Sequence, residues 1–307
     1  MSTTTITVVF LLLLSTSAAF RLSNVFGSNM VFQRNKNISI WGWTTTIEDE
    51  IIVKMQDLFA KANVNKTTGF FNVNLPPQKA SLIGRNITFT SSNTKQTITL
   101  ANILFGEVIL FSGQSNMEFV LPAAINATSE IATADDYPYL RFFSGTQQNV
   151  DTLISSKINK FNVTHNELKY IHLNWSISSS SVVGGCQDIS GACDTCCGNP
   201  MPAMDPKGSY VSAIAFLTAR KLFHLLNQTV PVGSVIQAYG GTSIQYWMSS
   251  DALSRVHGKA PPGSQCCGEN GVDSCLWNTQ IFPYTLAGSM KFSSILWYQG
   301  EQNANCG

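Results

Sequence analysis

The chain has 307 residues, 44% of them apolar and only 12% formally charged, with a net charge of +1. A chain of this length can bury a large core, enough for one large domain or two smaller ones. The near-neutral balance gives no reason to expect nucleic acid or an anionic membrane surface as a partner. A charged fraction about half of the usual ~25% leaves Ser, Thr, Asn and glycans to keep the surface soluble.

At the N-terminus, Val8 to Leu14 form a short, wholly apolar run, and Ser17-Ala18-Ala19 fits a signal-peptidase site. Residues 1–19 therefore read as an export signal. The rival reading is a membrane anchor, but the run is too short for a bilayer, which takes ~20 residues. After cleavage, no later segment is long and apolar enough for a membrane helix. Seven Asn-x-Ser/Thr sequons agree with export, at Asn37, Asn65, Asn86, Asn126, Asn162, Asn174 and Asn227. Eight cysteines cluster in the second half: Cys186, Cys193, Cys196, Cys197, Cys266, Cys267, Cys275 and Cys306. An even count in an exported chain favours disulfides over a zinc site begun by Cys193-x-x-Cys196.

Residues 20–105 read as a β-rich N-terminal domain. Ile38–Trp41 and Ile51–Met55 are short apolar runs, and Phe70–Leu75, Ile87–Thr90 and Thr97–Leu100 alternate. Short strands at such intervals predict a small sandwich or partial barrel. From residue 106 to 307 the pattern becomes α/β. Glu107–Phe111 is a buried-type strand that runs into Ser112-Gly113-Gln114-Ser115-Asn116. Residues from about 150 to 208 read as a loop-rich, Cys-bearing insertion. A helix is predicted from Tyr210 to Leu226, capped by Ser209, with Val211, Ile214, Ala215, Leu222, Leu225 and Leu226 as its apolar positions. The strand Val232–Ile236 leads to Gly240-Gly241-Thr242-Ser243. The strand Ser294–Tyr298 leads to Gln299-Gly300-Glu301. Alternating strands and helices imply a mainly parallel sheet.

Three times an apolar strand ends directly in a small, polar or Gly-bearing segment. Sites in open α/β sheets form outside the carboxyl ends of the strands, so these three segments are expected on one cleft edge. Ser115 offers a hydroxyl nucleophile. Gly241 offers a backbone N–H with no Cβ in the way. Gln299 offers an amide donor to the negative charge that acyl transfer builds on a carbonyl oxygen. The serine does not lie in a Gly-x-Ser-x-Gly elbow, because Met117 takes the second glycine position.

The wording of the segments is more specific. Gly113-Gln114-Ser115-Asn116-Met117-Glu118, Gly240-Gly241-Thr242-Ser243-Ile244-Gln245-Tyr246-Trp247 and Trp297-Tyr298-Gln299-Gly300-Glu301-Gln302-Asn303-Ala304 resemble, in order, three signature blocks of the sialate O-acetylesterase family of SGNH hydrolases. Asn29-Met30-Val31-Phe32-Gln33-Arg34 and Trp41-Gly42 resemble the start of its N-terminal β region. The resemblance implies a flavodoxin-like, three-layer α/β domain beside a β-rich domain. It implies a secreted or lysosomal enzyme hydrolysing O-acetyl esters of sialic acids, with no metal or organic cofactor. Ser115 would be the nucleophile, and its N–H and that of Gly241 would form the oxyanion hole. Gln299 would complete the hole, with Gly300 and Glu301 as alternatives, and Gln114, Asn116 and Gly240 would support the site.

One departure stands against this. The family's acid–base pair is an Asp with a His three residues later, near the C-terminus, and a serine hydroxyl needs such a base. The only histidines are His165, His172, His224 and His257, and none follows an Asp by three. The expectation is a sequence without the final strand–helix segment and its base. Two other readings stay open: an acetylxylan-type polysaccharide acetylesterase, and a non-catalytic glycan-binding remnant.

Overall fold

The computed structural model describes residues 20–145, 167–168, 171–185, 211–256, 274 and 276–304. Residues 1–19, expected to be an export signal, all eight cysteines, His165, His257 and Asn162 lie outside these residues.

Nine strands come first: β1 (Phe20–Leu22), β2 (Val31–Gln33), β3 (Ile38–Thr44), β4 (Ile51–Met55), β5 (Leu58–Lys61), β6 (Asn63–Val64), β7 (Phe70–Leu75), β8 (Ser81–Ser91) and β9 (Thr97–Gly113). Each expected run of the β-rich segment falls within one of them. The strands β1, β3, β7 and β6 form an antiparallel sheet in that order. A second sheet runs β5-β4-β8-β9 and continues through β12 (Val232–Ala238) and β10 (Leu140–Gly145) to β11 (Ile171–Ile177). On β9 it also carries β2 and β13 (Ser294–Tyr298).

The long strand β9 joins the two halves of this second sheet. Its first part pairs antiparallel with β8 and its last part pairs parallel with β12 and β13. Successive side chains of a strand face opposite ways, and both faces are buried here. Val108 and Leu110 join the core that holds Trp41, Phe71 and Phe105, whereas Ile109 and Phe111 join a second core with Leu140, Phe142 and Ile236. At the changeover, Arg34 Nε and Gln33 Nε2 reach the Glu107 carboxylate at 2.6 and 3.0 Å, and Gln33 Oε1 accepts the Val108 N–H at 2.8 Å. Burial raises the Glu107 pKa, but hydrogen bonds from Gln33, Arg34 and Ser293 outweigh it and hold the group below the ordinary carboxylate value. The Gln33-Arg34 pair is thus a clamp where β9 changes neighbours.

Among the helices are α1 (Ser115–Glu118), α2 (Ala127–Ala132), α3 (Ser180–Val183), α4 (Ala213–Leu225) and α5 (Ile244–Trp247). The helix expected from Tyr210 is α4, and it starts later. Ser212 caps it, its Oγ accepting from Ala215 N at 3.3 Å, and the expected cap Ser209 lies outside the described residues. Ser212 also bridges Val120, which keeps the backbone extended up to that residue. The buried stripe is Ala215, Phe216, Ala219 and Phe223, so the expected core position Leu225 points outward, 68% exposed. The expected loop-rich insertion contains a strand, β11, antiparallel to β10 with register shifts along the pairing. Its Ile171, Leu173, Trp175 and Ile177 alternate, and Trp175 is buried with its Nε1 donating to Val25 O at 3.0 Å. Among the described residues no helix is long and apolar enough to cross a membrane.

Candidate active site

The three strands that precede the singled-out segments are immediate neighbours. Gly113 at the end of β9 lies level with Ala238 of β12 on one side and Tyr298 of β13 on the other, all three strands parallel. Their carboxyl ends therefore open onto one edge, and Ser115, Gly240-Gly241 and Gln299-Gly300-Glu301 are brought together there. The close approach depends on a residue without a side chain. Gly113 has φ +144°, and a Cβ on it would overlap the Tyr298 carbonyl oxygen. In return Gln114 N donates to that oxygen at 2.9 Å.

Ser115 opens α1 with its side chain half-buried. The β12 loop closes against it: a Cβ on Gly240 would sit 3.4 Å from Ser115 Cβ. Gly240 N donates to Glu118 Oε2 at 2.7 Å, so the last residue of α1 pins the loop. Gly241 follows in the left-handed region at φ +68°, with open space where a Cβ would stand. Among the described residues, neither Ser115 N nor Gly241 N donates to another group. Two backbone donors thus stand at the serine, one at a helix start and one on an exposed turn.

The third segment behaves differently from the expectation placed on it. Gln299 Nε2 donates to Thr242 O at 3.2 Å and to Asn303 Oδ1 at 2.6 Å, which engages both amide hydrogens within the protein. Gly300 N donates to Gln114 Oε1 at 3.4 Å, and the Glu301 carboxylate accepts from Asn116 Nδ2. As they stand, Gln299 and its two alternatives tie the three loops to one another. Gln114 is the centre of this tie: it is buried, and its Oε1 also accepts from Gln302 N at 3.3 Å. Glu118 and Asn303 were not singled out from the sequence, although both lie inside the signature blocks. Asn303 (on a short terminal helix, Glu301–Ala304) accepts from Ile244 N at 2.9 Å and so fixes α5 as well.

The two described histidines stand away from Ser115. His172 is on β11, three strands from β9, which at ~4.8 Å per strand is about 14 Å. Burial pushes it down to a pKa of about 4, so it is neutral near pH 7. His224, near the end of α4, is exposed and meets Tyr137 Oη at 3.0 Å. The chain from α4 then traverses the whole of β12 before reaching the Gly240 loop, a rise of roughly 20 Å. No group of three or more His, Cys, Asp or Glu among the described residues could hold a metal ion. The six described sequon asparagines are all exposed.

In structure the chain is similar to a carbohydrate acetylesterase from Xanthomonas citri, with a TM-score of 0.69 and 22% identity, over 93% of this chain and 52% of that one. The fold is of that mixed, sheet-rich α/β class. No protein-family model matches the chain. In sequence it is similar to the sialate O-acetylesterases of Homo sapiens and Pongo abelii, 25% identical to each over 95% of its own length and 50% of theirs. That of Mus musculus is 26% identical over 95% of this chain. The chain is thus similar to curated sialate O-acetylesterases, and it spans about half the length of the curated relatives it matches.

Proposed function

We propose that this chain carries the nucleophile and oxyanion site of a serine esterase that removes O-acetyl groups from sialic acids. The observation that carries the proposal is Ser115 set against the Gly240-Gly241 turn at the ends of three adjacent parallel strands. Ser115 Oγ attacks the acetyl carbonyl as a general base takes its proton, a base that neither described histidine supplies. The carbonyl oxygen becomes an oxyanion, which the N–H groups of Ser115 and Gly241 are free to receive. The carbon–oxygen bond to the sugar breaks, the leaving sugar oxygen takes the proton back from the base to become a hydroxyl, and the acetyl group stays on Ser115. Water then attacks the acetyl-enzyme and releases acetate. The choice of sialic acid is supported by the names of the curated relatives, and an acetylated polysaccharide such as acetylxylan is the nearest rival. The site is read as secreted or lysosomal; the exposed sequons support this, and a mass shift on N-glycosidase treatment checks it.

A specific observation favours a second reading, glycan binding without turnover: neither described histidine is within reach of Ser115. A fluorophosphonate probe separates the two. Labelling of the wild-type chain, with acetate released faster from an O-acetylated sialic acid than from acetylxylan, supports the esterase. A protein that binds the sugar but takes no label is the second reading.

Glu118 gives a further check on the oxyanion assignment. Its carboxylate holds Gly240 N–H and thereby aims Gly241. Glu118→Ala is expected to lower kcat on p-nitrophenyl acetate roughly 10- to 100-fold with little change in KM. Glu118→Gln keeps an acceptor oxygen and should retain most of the rate. Equal losses in the two variants would speak against a positioning role.

A further inference from the structure

We infer that Thr242 is a positioning residue for ester hydrolysis: its hydroxyl and its carbonyl fix the turn that aims the Gly241 N–H at the oxyanion. The inference rests on the esterase reading for its reaction, and its geometry stands on separate contacts. Gly240 and Gly241 lack a Cβ, and glycine takes positive and negative φ about equally well. The pair therefore does not set the direction of its own N–H groups; the residues on either side do. At the entrance to the turn, Tyr239 N donates to Gly113 O at 2.9 Å and Gly240 N to Glu118 Oε2 at 2.7 Å. These bonds tie it to the end of β9 and to α1.

Thr242 holds the exit. It is 2% exposed. Its Oγ1 donates to Tyr239 O at 2.7 Å, which closes the turn across both glycines. The same Oγ1 accepts from Trp247 Nε1 at 3.0 Å, and Trp247 is itself buried at the end of α5. A hydroxyl can donate once and accept as well, so one oxygen serves both bonds. The Thr242 carbonyl accepts from Gln299 Nε2 at 3.2 Å. The end of β12, α5 and the segment after β13 thus converge on the residue directly after Gly241. Closing a turn explains the bond to Tyr239 alone. The other two bonds come from outside the turn and hold the neighbour of the oxyanion donor in place. A donor fixed before the reaction costs no reorganisation as charge develops on the carbonyl oxygen.

The test compares Thr242→Val, which removes the hydroxyl and keeps a branched side chain, with Thr242→Ser, which keeps the hydroxyl. Two readouts are taken: kcat and KM on p-nitrophenyl acetate, and the Gly241 amide resonance in protein labelled with ¹⁵N-glycine, assigned by its loss in Gly241→Ala. Thr242→Val is expected to lower kcat roughly 10- to 100-fold with little change in KM. It should also shift or broaden the Gly241 resonance while glycines far from the turn keep theirs, which shows the variant is folded. Thr242→Ser should restore both readouts. Trp247→Phe removes only the indole donor and should lower kcat severalfold; it serves as the test if the valine variant does not fold. A wild-type kcat with an unmoved Gly241 resonance, in Thr242→Val or failing that in Trp247→Phe, overturns the positioning role. Equal losses in the valine and serine variants overturn it too. The two readings fail separately. Ser115-dependent hydrolysis indifferent to the Thr242 hydroxyl removes the positioning role and keeps the esterase. A Gly241 resonance that follows the Thr242 hydroxyl in a protein that cleaves no ester keeps the aimed N–H and removes the esterase.

Discussion

Ser115→Ala is expected to reduce ester hydrolysis roughly 10³-fold or more while leaving the fold intact, because the variant keeps the two backbone donors and loses only the atom that is acylated. The stability of the variant should scarcely change. Ser115 is half-buried, and its hydroxyl has no hydrogen-bond partner among the described residues. Steady-state rates on p-nitrophenyl acetate and on an O-acetylated sialic acid, with unfolding curves for both proteins, check the two halves of this statement. A variant that kept most of its activity would remove Ser115 from the mechanism.

The second large effect is on stability. Gly113→Ala is expected to destabilise the protein by roughly 3 kcal/mol or more, measured by equilibrium urea unfolding, because its Cβ has nowhere to go. Both the positive φ and the Tyr298 carbonyl oxygen oppose it, and the oxygen is backbone of a paired strand that cannot swing aside. The same substitution at Gly241 is a control. There the space is open, and only the left-handed backbone is penalised, by about 1 kcal/mol. Similar losses at the two positions would mean that the approach of β9 to β13 is not the constraint described.

Much of this arrangement was legible in the sequence. Strand ends followed directly by Ser115, Gly240-Gly241 and Gln299-Gly300 are local patterns, and a parallel sheet brings such ends to one edge. The continuity of β9 was not legible. Thr97–Leu100 and Glu107–Phe111 read as two strands on either side of the change of pattern at residue 106, whereas β9 runs through both, with Asn102 at φ +55° between them. The same region shows register shifts against β8. The phase of α4 was misjudged for another reason. Leu222, Leu225 and Leu226 outweigh Ala215 and Ala219 in apparent apolarity, yet small residues are what lets a helix lie close on a sheet. The strand β11 was hidden inside a Cys- and Ser-rich stretch, although its own seven residues alternate.

The site itself was legible by residue type and less so by role. An amide near an expected oxyanion suggests a donor to substrate, and sequence does not show what else that amide can reach. In the fold, Gln299 reaches Thr242 and Asn303 first. Conversely, Gln114 and Glu118 could be read as mere neighbours of the serine. Their value lies in contacts with residues 122 to 188 positions away in sequence. Such contacts exist only once the three strands are side by side.

The central claim is that Ser115 takes the acetyl group. Acid-quenching the protein during turnover of an O-acetylated sialic acid, followed by peptide mass spectrometry, tests it most directly. The account predicts an acetyl group on the peptide that carries Gly113 to Glu118, located on Ser115 and absent from Ser115→Ala. Turnover with the acetyl group on another residue, or with no acetylated residue under conditions that trap a control esterase, would contradict it.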